Sequence, residues 1–110
     1  ALGAAFTEKD EPGYRIWVEQ LFRFLEKLGV TSFLISETEH VPITYSRTGV
    51  EEFLADGVIV FYNAQRGNIR IRALEILKMR GIEHERKMVP FEITDKGIVV
   101  YPDDPVYMEE

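Results

Sequence analysis

The spacing of the apolar residues changes once along this chain, and that change limits the folds open to it. In residues 14–28 the apolar side chains recur every three or four positions, which is the spacing of an amphipathic helix. Lys27 in the last turn and Gly29 just beyond it are the expected stop signals. After Gly29 the apolar residues come in short runs rich in β-branched and aromatic side chains. One main helix therefore precedes a region of strands.

The first two predicted strands each follow a predicted helix. Residues 30–35 are a short β-rich run directly after the helix, and a helix that leads straight into an apolar strand is the unit of an α/β sheet. Residues 49–55 predict two turns of helix, after a loop at 38–48, and the apolar run 57–62 follows them. Because this run is apolar on both faces, it predicts a central strand covered on both sides.

The second half of the chain predicts antiparallel strands. Residues 63–67 indicate a turn, and residues 68–80 alternate Ile69, Ile71 and Ala73 with arginines, which favours a strand. Residues 73–78 alone favour a helix; we assign a long strand because turn signals flank it. Two further strands, 88–94 and 98–101, surround a short hairpin turn at 95–97. The predicted fold class is α/β: helix–strand units that form part of a larger sheet, followed by antiparallel strands.

Composition excludes several classes of protein. The chain has no cysteine, so disulfides and cysteine-ligated zinc are excluded. It has no apolar run near the roughly 20 residues that cross a bilayer and no signal-peptide pattern, so we expect a cytoplasmic protein. His40 and His84 lie in separate segments without metal-ligand spacing, so we expect no metal site. Neither G-x-x-x-x-G-K-[ST] nor G-x-G-x-x-G occurs.

The positive charge of this acidic chain collects in one segment. Residues 66–87 hold seven basic and three acidic side chains, a balance of +4, whereas the rest of the chain has a balance of −10. A local basic segment on an acidic protein indicates a local anionic ligand. For Arg70 and Arg72, a solvated sheet face is about as good an explanation as a ligand surface.

The strongest candidates within that segment are Lys78, Arg80 and His84. If the chain is extended there, Lys78 and Arg80 project from the same face, because side chains alternate along a strand. Two such cations can hold a phosphate, lysine as a point charge and arginine as a fork. Short basic motifs also arise by chance on solvated surfaces.

Polar residues follow the first predicted strand, where α/β sheets place ligands. Ser36 and Glu37 stand there, and His40 follows. No nucleophile elbow surrounds the serine, so the residues alone favour a solvated strand end over a catalytic group.

Four segments of the chain resemble one protein family. Residues 28–37, 49–60, 72–81 with His84, and 90–98 are similar, in the same order, to the C-terminal half of the RecA-like P-loop ATPase core of KaiC-type proteins. The run L-K-M-R-G-x-x-H before P-F-x-I-T-x-x-G-I is the most specific part of the match. The resemblance covers residues 2–102.

The resemblance implies a shared nucleotide site. Such proteins bind ATP between neighbouring subunits of a ring, commonly a hexamer, so it implies a homo-oligomer. Lys78 and Arg80 would reach the γ-phosphate of ATP held by the adjacent subunit, with Arg80 as the catalytic finger and His84 near the same nucleotide. Ser36 and Glu37 would occupy the sensor position close to the γ-phosphate in the chain's own site.

The resemblance also implies that part of the site is supplied elsewhere. In the family, the phosphate loop and the acidic Mg²⁺ site belong upstream of residue 1. We therefore expect residues 1–102 to be the C-terminal half of the ATPase core and 103–110 to be a loose acidic tail. The partner would be the N-terminal ATPase half, and ATP and Mg²⁺ would bind only with it. Alone, the chain would hydrolyse no ATP.

Three functions remain open at this stage. The first is a KaiC-like ATPase segment that contributes contacts to a neighbour's ATP. The second is a non-enzymatic, self-assembling module derived from the same fold. The third is a nucleic-acid partner that uses residues 66–87, and the net charge of −6 makes it the least favoured.

Overall fold

The computed structural model describes residues 11–36 and 50–106. The chain forms two compact units, residues 1–55 and 56–110, and each is described by itself. The elements are α1 (Glu11–Leu28), α2 (Val50–Leu54), β1 (Gly57–Arg66), β2 (Ile69–Met79), β3 (Val89–Thr94) and β4 (Gly97–Val100). No helix in the described ranges has both the length and the apolar character needed to cross a membrane.

The predicted main helix is confirmed, but it begins three residues earlier than its apolar spacing indicates. Glu11, Pro12 and Gly13, which precede the first regularly spaced apolar residue, form its first turn. Proline is tolerated there because the first N–H groups of a helix have no intrahelical acceptor. The helix ends at Leu28, and Gly29 follows with a φ of 67°, a conformation that favours glycine.

The first unit has a small core between α1 and α2. Tyr14 and Val18 are fully buried, and Phe22 and Leu54 pack against them. Phe24 is one of the regularly spaced apolar residues of the helix, yet it is 58% exposed. The apolar stripe predicted the helix correctly, but only one side of that stripe is covered by described residues.

The predicted strand at residues 30–35 is wrong. The segment forms no strand ladder, and Phe33 is 91% exposed. An apolar β-rich run becomes a strand only where a neighbouring strand accepts and donates its backbone hydrogen bonds. No segment among residues 11–36 and 50–106 does so here. The predicted loop at 38–48 lies outside the described residues, while the short helix predicted at 49–55 is confirmed as α2.

The second unit is a four-stranded antiparallel sheet in the order β1-β2-β3-β4. The long strand predicted at 68–80 is confirmed as β2, but the turn predicted at 63–67 is wrong. Pairing with β2 continues along β1 as far as Arg66, opposite Ile69. Only two residues are left for the turn, and Gly67 has a φ of 63°, as a type II′ hairpin requires at its first central position.

The prediction that residues 57–62 form a central, doubly covered strand is also wrong. β1 lies at the edge of the sheet, and Ile59 and Phe61 are both more than half exposed. Only Val60 is buried along this strand. The run is apolar on both faces, yet the described residues bury one face of it much better than the other.

The two C-terminal strands are confirmed and form a tight hairpin. Thr94 and Gly97 are paired across the turn, where the Thr94 hydroxyl donates to the Gly97 carbonyl at 2.9 Å. Beyond β4, the N–H of Tyr101 donates to the Pro90 carbonyl at 3.0 Å. The Tyr101 hydroxyl donates to Glu92, and this hydrogen bond raises the pKa of the tyrosine.

One face of the sheet carries exposed apolar side chains. Paired residues share a face and successive residues alternate, so the register places these side chains together. We call this set the exposed apolar face, and its members are Ile59, Phe61, Ile93, Ile98 and Val100. Phe91 lies on the same face but is buried. Its ring is edge-on to that of Phe61, with 5.5 Å between the ring centroids.

Replacement of Val18 by alanine tests the core of the first unit. Val18 is fully buried, so the change removes buried methyl groups and leaves a cavity. We expect the free energy of unfolding to fall by about 2 kcal/mol, measured by urea denaturation followed by helical circular dichroism. The matched control is Ile16→Ala on the same helix, where the side chain is 59% exposed. An equal loss in both variants would contradict the assigned core.

Candidate functional site

The candidate cations lie at the end of β2, where its pairing with β1 contains a bulge. Val58 is paired with Lys78, but the next residue of β1, Ile59, is paired with Ile76. Leu77 is therefore an extra residue in β2. Gly57 is paired with Met79 and has little room for a side chain, since a Cβ atom on Gly57 would lie 3.1 Å from the Met79 sulfur.

The bulge decides which face carries Lys78. In a regular strand Lys78 would share a face with Ile76, two positions before it. Because one extra residue shifts the alternation, Lys78 comes to the face of Val58, opposite that of Ile59 and Ile76. The bulge precedes Lys78, so the alternation from Lys78 to Arg80 is unaffected. Lys78 is half-buried, whereas Arg80 is exposed.

Arg80 is held by Asp56, the residue immediately before β1. Its backbone N–H donates to the Asp56 carbonyl at 2.7 Å, which continues the strand pairing by one step beyond Met79. Its guanidinium Nη1 lies 3.1 Å from the Asp56 carboxylate Oδ1. The Arg80 side chain is 58% exposed and that of Asp56 is 88% exposed. Sequence reasoning missed Asp56, because nothing in the sequence fixes the antiparallel register.

The chain turns sharply after Arg80. Gly81 has a φ of 77°, and the N–H of Ile82 donates to the Met79 carbonyl at 3.3 Å. This turn follows the two cations directly, one residue after β2 ends at Met79. It separates them from His84, which lies in the irregular segment before β3.

His84 is less suited to phosphate than its position in the sequence indicates. Its Nδ1 lies 2.9 Å from the Glu85 carbonyl oxygen. A carbonyl only accepts hydrogen bonds, so this contact assigns the proton to Nδ1. In the neutral ring Nε2 is then an acceptor, and it donates to a phosphate only when the ring is doubly protonated.

Ser36 lies in the first unit, where it contacts a buried carboxylate. Its hydroxyl donates to Glu51 Oε2 at 3.4 Å, a long hydrogen bond. Glu51 lies in the short helix α2, and only 7% of it is exposed. Its Oε1 accepts no hydrogen bond from the described residues. Glu37, the other predicted residue of this group, lies outside the described residues.

The remaining arginines of the basic segment extend along the hairpin. Arg70 is paired with Gln65 and Arg72 with Asn63, and all four are exposed. No salt bridge to either arginine is found among residues 11–36 and 50–106. The geometry agrees with a solvated sheet face and adds nothing specific to a ligand.

The arrangement at the end of β2 fits an anion better than a metal ion. Lys78 lies opposite Val58, and Arg80 continues the pairing opposite Asp56, so both supply positive charge on the same face; part of the Arg80 guanidinium faces solvent. Within the described ranges, no group of three or more histidine or acidic side chains is arranged to hold a metal. Phosphate oxygens are the natural acceptors for a lysine and an arginine so placed.

Comparison with known proteins gives one family. The family model described as "ATPase: KaiC" matches residues 2–105. The KaiC-like protein from Pyrococcus horikoshii, a solved structure, superposes with a TM-score of 0.71 at 42% identity, over 84% of this chain and 41% of that protein. This likeness confirms the α/β, RecA-like fold class predicted from the sequence.

Two curated relatives are proteins of the circadian clock. The clock oscillator protein KaiC of Synechococcus elongatus is 43% identical over 76% of this chain and 17% of its own length. The clock protein KaiC3 of Synechocystis is 38% identical over 100% of this chain and 22% of its own length. The chain thus spans about a fifth of the length of these relatives.

Replacement of Gly81 by alanine tests the turn after Arg80. A residue with a side chain is strained at a φ of 77°, so we expect the free energy of unfolding to fall by about 1 kcal/mol. The measurement is urea denaturation of the second unit's β-sheet signal. Gly13→Ala is the matched control, because Gly13 is helical and has open space around its Cα. A neutral Gly81→Ala would contradict the assigned turn.

Proposed function

Because the chain belongs to the KaiC family of ATPases, we propose that it forms the part of such an ATPase that contacts the phosphates of ATP held by a neighbouring subunit. The observation that supports this best is the cationic pair at the end of β2, with Lys78 and Arg80 on one face of the hairpin. The partial exposure of the Arg80 side chain also supports a role toward another chain.

The two cations have different chemical roles in this proposal. Lys78 is a point charge that attracts the γ-phosphate, whereas Arg80 is the catalytic finger. Charge spreads over the equatorial oxygens of the transferred phosphoryl group, and the guanidinium donates to several of them at once. Its effect is therefore larger in the transition state than in the bound ground state.

The remaining predicted residues take secondary roles. We place His84 near the same nucleotide, as an Nε2 donor only when its ring is doubly protonated. Ser36 and Glu37 act at the chain's own nucleotide, and the Ser36 hydroxyl would leave Glu51 to donate its single proton to a phosphate there.

The proposal assigns the rest of the nucleotide site to another part of the ATPase domain. That part supplies the phosphate loop and the Mg²⁺ ligands, so ATP and Mg²⁺ bind only in its presence. Residues 1–102 then form the C-terminal half of the core, and residues 103–110 are an acidic tail. The assembled form is a homo-oligomeric ring, with six subunits as the family implies, in the cytoplasm.

Complementation in trans tests the proposed contacts. Rings are assembled from two kinds of subunit, both containing this chain joined to the phosphate-loop half. One kind carries Arg80→Ala and the other an inactivated phosphate loop. We expect each alone to lose ATPase activity by at least about a thousandfold, and the mixture to regain a part of it. Regain occurs because an intact phosphate loop then meets an intact Arg80 from the neighbour. The 110-residue chain alone should hydrolyse no ATP.

Two controls separate the site from general charge. Arg86→Ala and Lys87→Ala remove one exposed cation each from the same basic segment and should leave ATPase activity nearly unchanged. Lys78→Ala should lower it. A mixture that regains no ATPase activity would contradict the action of Arg80 in trans. Full ATPase activity of Arg80→Ala alone would contradict its role as the catalytic finger.

The exposed apolar face supports a second candidate function, a self-assembling module without ATP chemistry. Apolar side chains gathered on one sheet face, as Ile59, Phe61, Ile93 and Ile98 are, mark an interface more often than single exposed residues do. In this candidate a second copy of the chain covers that face.

Sedimentation velocity of the 110-residue chain tests the second candidate. We expect concentration-dependent association that Phe61→Asp abolishes, because a charge on the exposed apolar face cannot be buried without a partner. Phe33→Asp, in the exposed segment after α1, is the matched control. Association unchanged by added ATP and by Arg80→Ala would favour this candidate, and a chain that stays monomeric would exclude it.

A further inference from the structure

Asp56 and Arg80 contact each other through two independent interactions. The backbone hydrogen bond, at 2.7 Å, belongs to the strand pairing and involves no side chain. The side-chain contact joins one guanidinium nitrogen, Nη1, to one carboxylate oxygen, Oδ1, at 3.1 Å. The carboxylate can therefore leave the guanidinium without disturbing the sheet.

The side-chain pair is suited to exchange. It is a single contact and not a bidentate one, so the other N–H groups of the guanidinium make no hydrogen bond to residues 11–36 or 50–106. Both side chains are more than half exposed, and ion pairs in such positions are weak because water and salt screen them. Rotation of two exposed side chains is sufficient to break it.

We propose that Asp56 is an internal competitor of phosphate at Arg80: its carboxylate holds the guanidinium in the absence of nucleotide and is displaced when a polyphosphate binds. The inference rests on the proposed function, since it concerns the regulation of the same site. The occupant that displaces Asp56 is the phosphate chain of ATP or of another polyphosphate.

The charges favour a role in which Asp56 competes with phosphate for Arg80, and not one in which Asp56 orients Arg80 toward phosphate. A carboxylate beside the guanidinium neutralises part of its charge and repels an incoming phosphate. A polyphosphate carries several negative charges, whereas Asp56 carries one. It therefore displaces Asp56 from the guanidinium, and a singly charged anion does not. The orienting effect of an exposed, single contact is small by comparison. Asp56 thereby keeps Arg80 from binding weakly charged anions.

The test compares Asp56→Asn with the wild-type chain. Asparagine removes the negative charge, keeps a similar shape and leaves the backbone bond to Arg80 in place. The probe is inorganic tripolyphosphate, titrated into the 110-residue chain at low salt and followed in amide NMR spectra. Unlike ATP with Mg²⁺, this polyanion needs no phosphate loop, because at low salt the two cations attract it directly. We expect Asp56→Asn to bind it about two- to fivefold more tightly, the size that a weak exposed pair allows.

Two further variants distinguish the pair from a general change in net charge. Asp95→Asn makes the same charge change in the turn between β3 and β4, where its side chain is exposed, and should alter affinity much less. In an Arg80→Ala background the gain from Asp56→Asn should largely disappear, because the two effects are coupled through the pair.

Each outcome decides one of the two claims. If Asp56→Asn binds tripolyphosphate no more tightly than the wild type, or does not bind it, the proposed competition by Asp56 is wrong. If Lys78→Ala and Arg80→Ala still lose tripolyphosphate binding, the proposed phosphate contacts stand although Asp56 does not compete for Arg80. If those two variants bind as the wild type does, the proposed phosphate contacts fail instead.

A measurement without any ligand checks the pair itself. The side-chain NMR signal of the Arg80 guanidinium should shift in Asp56→Asn, because the adjacent negative charge is removed. Tripolyphosphate added to the wild type should move the signal away from its paired position. An Arg80 signal identical in the two ligand-free proteins would overturn the competitor.

Discussion

The antiparallel pairing of β1 with β2 is the constraint on which the rest of the second unit depends. It brings Asp56 beside Arg80 although 24 positions separate them in the sequence. The extra residue at Leu77 then transfers Lys78 to the other face of the hairpin. Without this bulge the lysine would share a face with Ile76, and the two cations of the candidate site would occupy a different surface. The site is therefore a product of register and not only of the L-K-M-R-G sequence.

The same pairing holds the backbone of Arg80, the proposed finger, just beyond the end of β2. Arg80 is anchored through its backbone, while its side chain reaches out from the sheet and is balanced by a carboxylate. A backbone fixed by the strand pairing, with an exposed charged side chain, is the arrangement expected of a group that must meet a ligand held by another chain. β2 ends at Met79, and the turn at Gly81 follows Arg80 directly.

Sequence reasoning predicted the elements better than their surroundings. The helix, the hairpin strands and the tight turn between β3 and β4 follow from local spacing and turn residues, which act over a few positions. Burial depends on what packs from elsewhere, and there the predictions failed: residues 30–35 form no strand, and β1 is an edge strand. For the site, the cations were evident from the charge pattern. Asp56 and the burial of Glu51 were not, because each depends on a contact between segments distant in sequence.

A crystal structure of the assembled ring with a non-hydrolysable ATP analogue would test the central claim most directly. We expect the Arg80 guanidinium to lie within hydrogen-bonding distance of the γ-phosphate held by the adjacent subunit. Lys78 should lie beside it, and the Asp56 carboxylate should be released into solvent. An Arg80 side chain still paired with Asp56, or turned toward a nucleotide of its own subunit, would contradict the account.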